Sequence, residues 1–447
     1  AFAYRNYDLN SLTTRVPEKG IGFHALNSEI TFSSLLTATT ETGAGDFEAS
    51  GADVAWVASR NYVGIQLDNS KVKGGISRTT RTSPGTASFV ESELNTGYGL
   101  VFNNSHMDVN GLLDIYGNEA GILMNNSHLR YNELCVDSHR DEGLNAKNST
   151  IIFDSSANPL AAGQLTRYQV DFIRNSQHLL LDNNSSFGFK LKTDMPSKYG
   201  NMSFSGAQGA VSGSPTYTPV LPAIAINNNS NAEFINTRFI PRVAGDSVAN
   251  MPVFGLGLQA VNNSKASFYG TEAGCTLVFG IPTYTFQQKV AGLYADKNSE
   301  INLHGPTVIA QFGVDVLVEN DSSLTISPPT SRKGHGYDVS SFALSGQGNN
   351  TSVELHATRA CLVANKNSVI NMQDLGDYHT FWGRGANGTI LLAAGTDYPT
   401  ETFDLSSYIA SGSLQFYPNP QDSLTLKPDV GITPTTIPVS YTHLRAH

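Results

Sequence analysis

Charge is scarce in this chain. Asp, Glu, Lys and Arg make up 15% of its 447 residues, where an average soluble domain has roughly 25%. The formal net charge is −10 and no Lys/Arg-rich run occurs, so a nucleic-acid partner, which needs a basic face to meet phosphates, is not expected. No run of 18 apolar residues exists, which leaves no segment to insert in a membrane as a spanning helix. Cysteine is confined to Cys135, Cys275 and Cys361. Three widely spaced thiols make neither a zinc motif nor a closed disulfide framework, and they read as small buried hydrophobes. Apolar positions with a sustained 3.6-residue period are also missing, which excludes a helical solenoid.

What the chain does have is glycine, 41 residues of it, an apolar share of 40%, and recurrent Asn and Ser clusters. That mix suits an all-β chain with many tight turns. A repeat emerges at Gly99-Leu100-Val101-Phe102-Asn103-Asn104-Ser105, at Gly121-Ile122-Leu123-Met124-Asn125-Asn126-Ser127 and at Gly143-Leu144-Asn145-Ala146-Lys147-Asn148-Ser149, spaced 22 residues apart. Its anchors along the chain are Asn27, Asn69, Asn104, Asn126, Asn148, Asn184, Asn229, Asn263, Asn298, Asp321, Asn350 and Asn367. The third residue after the anchor is apolar in all twelve copies and the fifth in eleven, with Gly74 the exception; the position just before the first of these is polar in eleven. A period of two with one apolar face is a half-buried strand.

The Asn-Ser step has a physical role in that reading. Asn tolerates left-handed backbone angles, so it can turn the chain between two strands. Stacking the rungs about 4.8 Å apart lets the amides bond in a ladder. Gly22, Gly64, Gly99, Gly121 and Gly143, five residues before their anchors, read as a second sharp bend. The expected fold is all-β: a right-handed parallel β-helix with rungs of about 22 residues and an Asn-Ser turn ladder.

These words resemble those of pectate-lyase-like β-helix proteins, which include polysaccharide lyases and hydrolases, secreted bacterial adhesins, and phage tailspikes and fibres. The resemblance covers residues 21 to 372 and is specific for architecture rather than activity. The hydrolase branch carries Asn-Thr-Asp, Asp-Asp, Gly-His-Gly and Arg-Ile-Lys along one face. Only Gly334-His335-Gly336 is present here, and glycoside hydrolysis needs two carboxylates about one bond. No catalytic residue is therefore assigned, and no cofactor is implied.

Other clusters read as surface. Asp137, His139, Arg140, Asp141 and Glu142 fall in a short turn that reads as solvated. His106 and His128 fall at one position of adjacent rungs and are expected to stack on the outer face. The candidate ligand site is Tyr378, Phe381, Trp382 and Arg384, because aromatic faces stack on sugar rings and Arg holds acidic groups.

Residues 1–20 are expected to lead into the solenoid, 21–375 to form it, and 376–437 to be an end region. Residues 438–447 resemble translated sequencing-adapter sequence, so the chain is expected to be an environmental fragment of a protein continuing in both directions. The resemblance implies a structural and receptor-binding segment of a phage tail fibre or other virion protein, contacting host-surface polysaccharide. It also implies a homotrimer, located on the virion or the cell surface. A bacterial surface adhesin is the alternative within the binding class, and a polysaccharide lyase or glycoside hydrolase the alternative outside it.

Overall fold

The strand–turn–strand word folds as two strands of different sheets joined at a corner. The computed structural model describes residues 2–4, 20–31, 36–37, 56–59, 61–77, 88–93, 95, 97–110, 112–137, 141–154, 170–190, 202–207, 222–235, 237–240, 256–269, 277–279, 291–304, 307–310, 314–327, 351–357, 360–364, 368–372, 380–385, 393–395 and 432–434. Among the described residues every regular element is a strand and there is no helix. The chain divides into two compact units, Ala1–Pro219 with Arg242–Val253 and Val220–Pro241 with Phe254–His447.

Each unit is a parallel β-helix with three sheets. In the first unit, the first sheet runs through Ile21–Leu26, Val63–Asp68, Tyr98–Asn103, Ala120–Asn125, Glu142–Lys147 and Gln177–Asp182. The second runs through Glu29–Thr31, Lys71–Ser77, His106–Asn110, His128–Tyr131, Thr150–Asp154 and Ser186–Lys190. The third includes Trp56–Ser59, Ser88–Glu93, Leu112–Tyr116, Glu133–Asp137, Val170–Asn175 and Met202–Ala207. Pairing is parallel and in register from rung to rung, as in His106 beside His128 and His128 beside Thr150.

The second unit repeats the scheme. Pro222–Asn227, Leu256–Val261, Ala291–Asp296, Val314–Val318 and Ala360–Ala364 form its first sheet. Asn231–Ile235, Lys265–Tyr269, Glu300–His304, Ser323–Ser327 and Val369–Met372 form the second. Thr237–Ile240, Leu277–Phe279, Thr307–Ala310, Thr351–Ala357 and Thr380–Gly385 form the third.

The interior follows the alternation. Val72, Met107, Leu129, Ile151, Phe187, Ala232, Ala266, Ile301 and Leu324, three residues after their anchors, are all buried. So are Val109, Tyr131, Phe153, Phe189, Phe234, Phe268 and Leu303, five residues after. Phe234 and Phe268 stack with ring centroids 4.8 Å apart, and Tyr131 meets Phe153 at 6.2 Å. A third aromatic pair, Phe172 on Phe204 at 5.1 Å, lines the third sheet.

Two expectations change. The word at Asn350 belongs to another place in the rung: Asn350 lies outside the described residues, and the strand Thr351–Ala357 after it pairs in the third sheet, not the second. The glycines five residues before the anchors do not bend the chain. They sit inside strands, and left-handed glycine angles occur among the described residues only at Gly74 and Gly117. They supply clearance instead: a Cβ on Gly64 would stand 2.2 Å from Ser92 Oγ and 2.8 Å from Asn95 Nδ2, and one on Gly99 would stand 2.9 Å from Asn118 Nδ2.

Candidate functional site

The Asn-Ser corner is built on left-handed residues. Asn27, Asn69, Asn104, Asn126 and Asn148 each take φ of 48–49° and turn the chain alone. From Asn183 onward the corner holds two such residues, at Asn183 and Asn184, Asn228 and Asn229, Asn262 and Asn263, Lys297 and Asn298, and Asn320 and Asp321. One residue has been added between the strand and the serine, so the same written word makes two turn geometries. Asn ladders are present: Asn184 Nδ2 donates to Asn148 Oδ1 at 3.5 Å, and Asn298 Nδ2 to Asn263 Oδ1 at 2.8 Å. On the narrower corner the bonded amides include the residue before the anchor, as where Asn125 Nδ2 donates to Asn103 Oδ1 at 3.1 Å.

The serine after the anchor forms a steadier ladder. The backbone N–H groups of Ser28, Ser70, Ser105, Ser127 and Ser149 donate in turn to the hydroxyls of Ser70, Ser105, Ser127, Ser149 and Ser185, at 3.0–3.1 Å. In the second unit the N–H groups of Ser230, Ser264, Ser299 and Ser322 donate to the hydroxyls of Ser264, Ser299, Ser322 and Ser368. Asn367 lies outside the described residues, while Ser368 joins the ladder. A second polar column stands at the corner from third to first sheet, where Asn61 N donates to Asn95 Oδ1 at 2.8 Å and Asn95 Nδ2 to Asn118 Oδ1 at 2.8 Å.

Of the aromatic candidate site, Tyr378 lies outside the described residues. Phe381, Trp382 and Arg384 lie on the strand Thr380–Gly385, in register with Val353, Glu354 and His356. His335 and its glycines, and His139 and Arg140, also lie outside. Asp141 is exposed and Glu142 half-buried. Burial, and then the charge of Asp141, pushes the Glu142 carboxyl above its usual range.

His106 and His128 stack with centroids 4.4 Å apart on the outer side of the second sheet, each half-buried. Beside them Arg130 bridges two carboxylates, with Nη1 donating to Asp108 Oδ1 at 2.5 Å and Nε to the buried Asp154 Oδ2 at 2.9 Å. Lys190 Nζ stands 3.8 Å from the same Asp154 oxygen, so two cations face the two carboxylates and the row holds rungs together rather than presenting a free ion. Among the described residues no group of three or more His, Cys, Asp or Glu is placed to hold a metal ion.

No family model matches the chain, and no curated protein or solved structure matches it.

Proposed function

We propose that this chain is a structural and receptor-contacting β-helix segment of a phage tail fibre or other virion protein, which presents its surface to host glycan. The supporting observation is the contrast between corners. In the first unit the first and second sheets are joined through residues 69–70, 104–105, 126–127 and 148–149, and in the second unit through 228–230, 262–264 and 297–299. Connections at the third sheet vary in length, from the single residue between Asn110 and Leu112, Tyr131 and Glu133, or Ile235 and Thr237 to the long stretches at 78–87, 155–169 and 191–201 in the first unit and 241–255 and 328–350 in the second. A fixed spine with insertions confined to the remaining corners is a scaffold for contact segments, because loops tolerate insertion where the stack does not.

The test is binding of the chain to host cells and to purified surface polysaccharide, beside a variant with Phe381→Ala, Trp382→Ala and Arg384→Ala. Binding that weakens in the variant supports a contact on that strand, and unchanged binding moves the contact elsewhere. Failure to bind any surface overturns the receptor-contact reading. No turnover of pectin or alginate is expected; turnover that disappears on Asp137→Ala or His335→Ala would put the chain among the lyases and hydrolases.

A further inference from the structure

Tyrosines gather at the corner of the first unit where the third sheet hands over to the first. Four large hydrophobic side chains are exposed among the described residues, and two of them are here: Tyr62 at 38% and Tyr116 at 42%. Tyr62 precedes the strand Val63–Asp68, Tyr98 opens Tyr98–Asn103, and Tyr116 closes Leu112–Tyr116. Backbone bonds stack these rungs directly. Gly97 N and Tyr98 N both donate to Tyr62 O, at 2.9 and 3.0 Å; Ala120 N donates to Gly97 O at 2.9 Å, and Asp141 N to Glu119 O at 2.8 Å.

The Tyr62 ring lies against the bare backbone of the next rung. A Cβ on Gly97 would stand 2.9 Å from Tyr62 Cε2, so glycine at 97 is what lets the ring lie there. Covering Gly97 gives Tyr62 a structural role, but it does not account for the exposure of Tyr116. Glu119 and Asp141 are exposed on the same corner. The Tyr98 hydroxyl is pushed up by burial and then by Tyr62, Asp141 and Glu142, which places these groups around it.

We propose that this corner is a binding platform for a neutral pyranose glycan, with Tyr62 and Tyr116 stacking on C–H faces of the sugars and Glu119 and Asp141 accepting hydrogen bonds from their hydroxyls. Exposed rings supply flat apolar area at low entropic cost, and their neighbours supply orientation. Carboxylates on the platform and a net charge of −10 disfavour an anionic polymer. The inference rests on the glycan-contact reading above and gives that contact a place on the first unit.

The experiment is affinity electrophoresis of the whole chain in gels containing dextran, a soluble β-glucan, a galactomannan or polygalacturonate, beside Tyr62→Ala, Tyr62→Phe and Tyr116→Ala. At least one neutral polysaccharide should retard the wild type. Tyr62→Ala and Tyr116→Ala should each weaken that binding by about tenfold, which corresponds to about 1.4 kcal/mol. Tyr62→Phe should bind as the wild type does, and polygalacturonate should not retard it. Because Tyr62→Ala also uncovers Gly97, Tyr116→Ala with an unchanged melting curve is the deciding variant. Retardation by a neutral glycan that Tyr116→Ala leaves intact overturns this site while the glycan reading stands. Retardation by polygalacturonate alone overturns the choice of ligand. No retardation by any of the four overturns the glycan reading and this inference with it.

Discussion

The hydroxyl of Ser127 accepts a hydrogen bond from the backbone N–H of Ser105 at 3.0 Å and donates its own proton to Asn125 O at 2.7 Å. Both serines are buried. The hydroxyl therefore satisfies a main-chain donor on the neighbouring rung that has no ladder carbonyl at the corner.

Replacing Ser127 by Ala should leave the Ser105 N–H buried and unbonded, at a cost of about 1–3 kcal/mol. Urea unfolding followed by circular dichroism measures this. A change within about 0.5 kcal/mol, as expected of an ordinary surface site, would mean that the serine ladder does not hold the corner.

The repeat was legible because both demands of the corner fall on adjacent letters. Asn126 supplies the left-handed angle and Ser127 the acceptor. In the sequence the Asn amides announce a ladder and the serines do not, because a small hydroxyl reads as turn filler until its burial is known. The glycine signal at Gly64 and Gly99 was present but misread. The residues they make room for, Asn95 and Asn118, sit on other rungs at irregular intervals, and connections of changing length break any period that would expose them. Asn104 and Asn184 are both spelled Asn-Asn-Ser, yet their turns differ. Only the register of Lys147 with Asp182 reveals the added residue. Tyr62 and Tyr116 were overlooked because they lie outside the repeated word.

The stack of Phe234 on Phe268, both fully buried, carries the second prediction. Phe234→Ala removes a ring from a closely packed interior and should cost about 3–5 kcal/mol. Denaturant titration checks it, and a loss below about 1 kcal/mol would place the residue outside the core.

The third concerns acid. Burial is the first cause lowering the pKa of both His106 and His128, and each stands near other cations: Lys73 and Lys71 for His106, and His106 itself and Arg130 for His128. Asp108 opposes the shift at both rings. A histidine whose folded pKa lies below its unfolded value, near 6.5, binds fewer protons folded than unfolded in that interval. Stability therefore rises with pH there. It should be flat above about 6.5 and fall as the pH drops through the folded pKa values. His128→Phe keeps a stacked ring without the charge. Melting temperatures from pH 7.5 to 5 should fall less steeply in that variant; identical slopes would mean that this pair does not set the acid response.

Tyr131 carries the last prediction. It occupies the fifth position after Asn126, is 0% exposed, and its hydroxyl finds no hydrogen-bond partner. Burial pushes its pKa far above the ordinary phenol value, so the hydroxyl keeps its proton at neutral pH. A buried hydroxyl without a partner has given up its water bonds for nothing in return, at a cost of about 1–3 kcal/mol. The ring itself packs toward Phe153 and belongs in the core. Tyr131→Phe keeps that packing and removes the stranded oxygen, so stability should hold or rise by about 1 kcal/mol, whereas Tyr131→Ala should cost about 3–5 kcal/mol. The measurement is the urea midpoint at an unchanged slope. A clear loss in Tyr131→Phe would show that the hydroxyl is bonded inside the helix after all, and that the interior at this rung is polar.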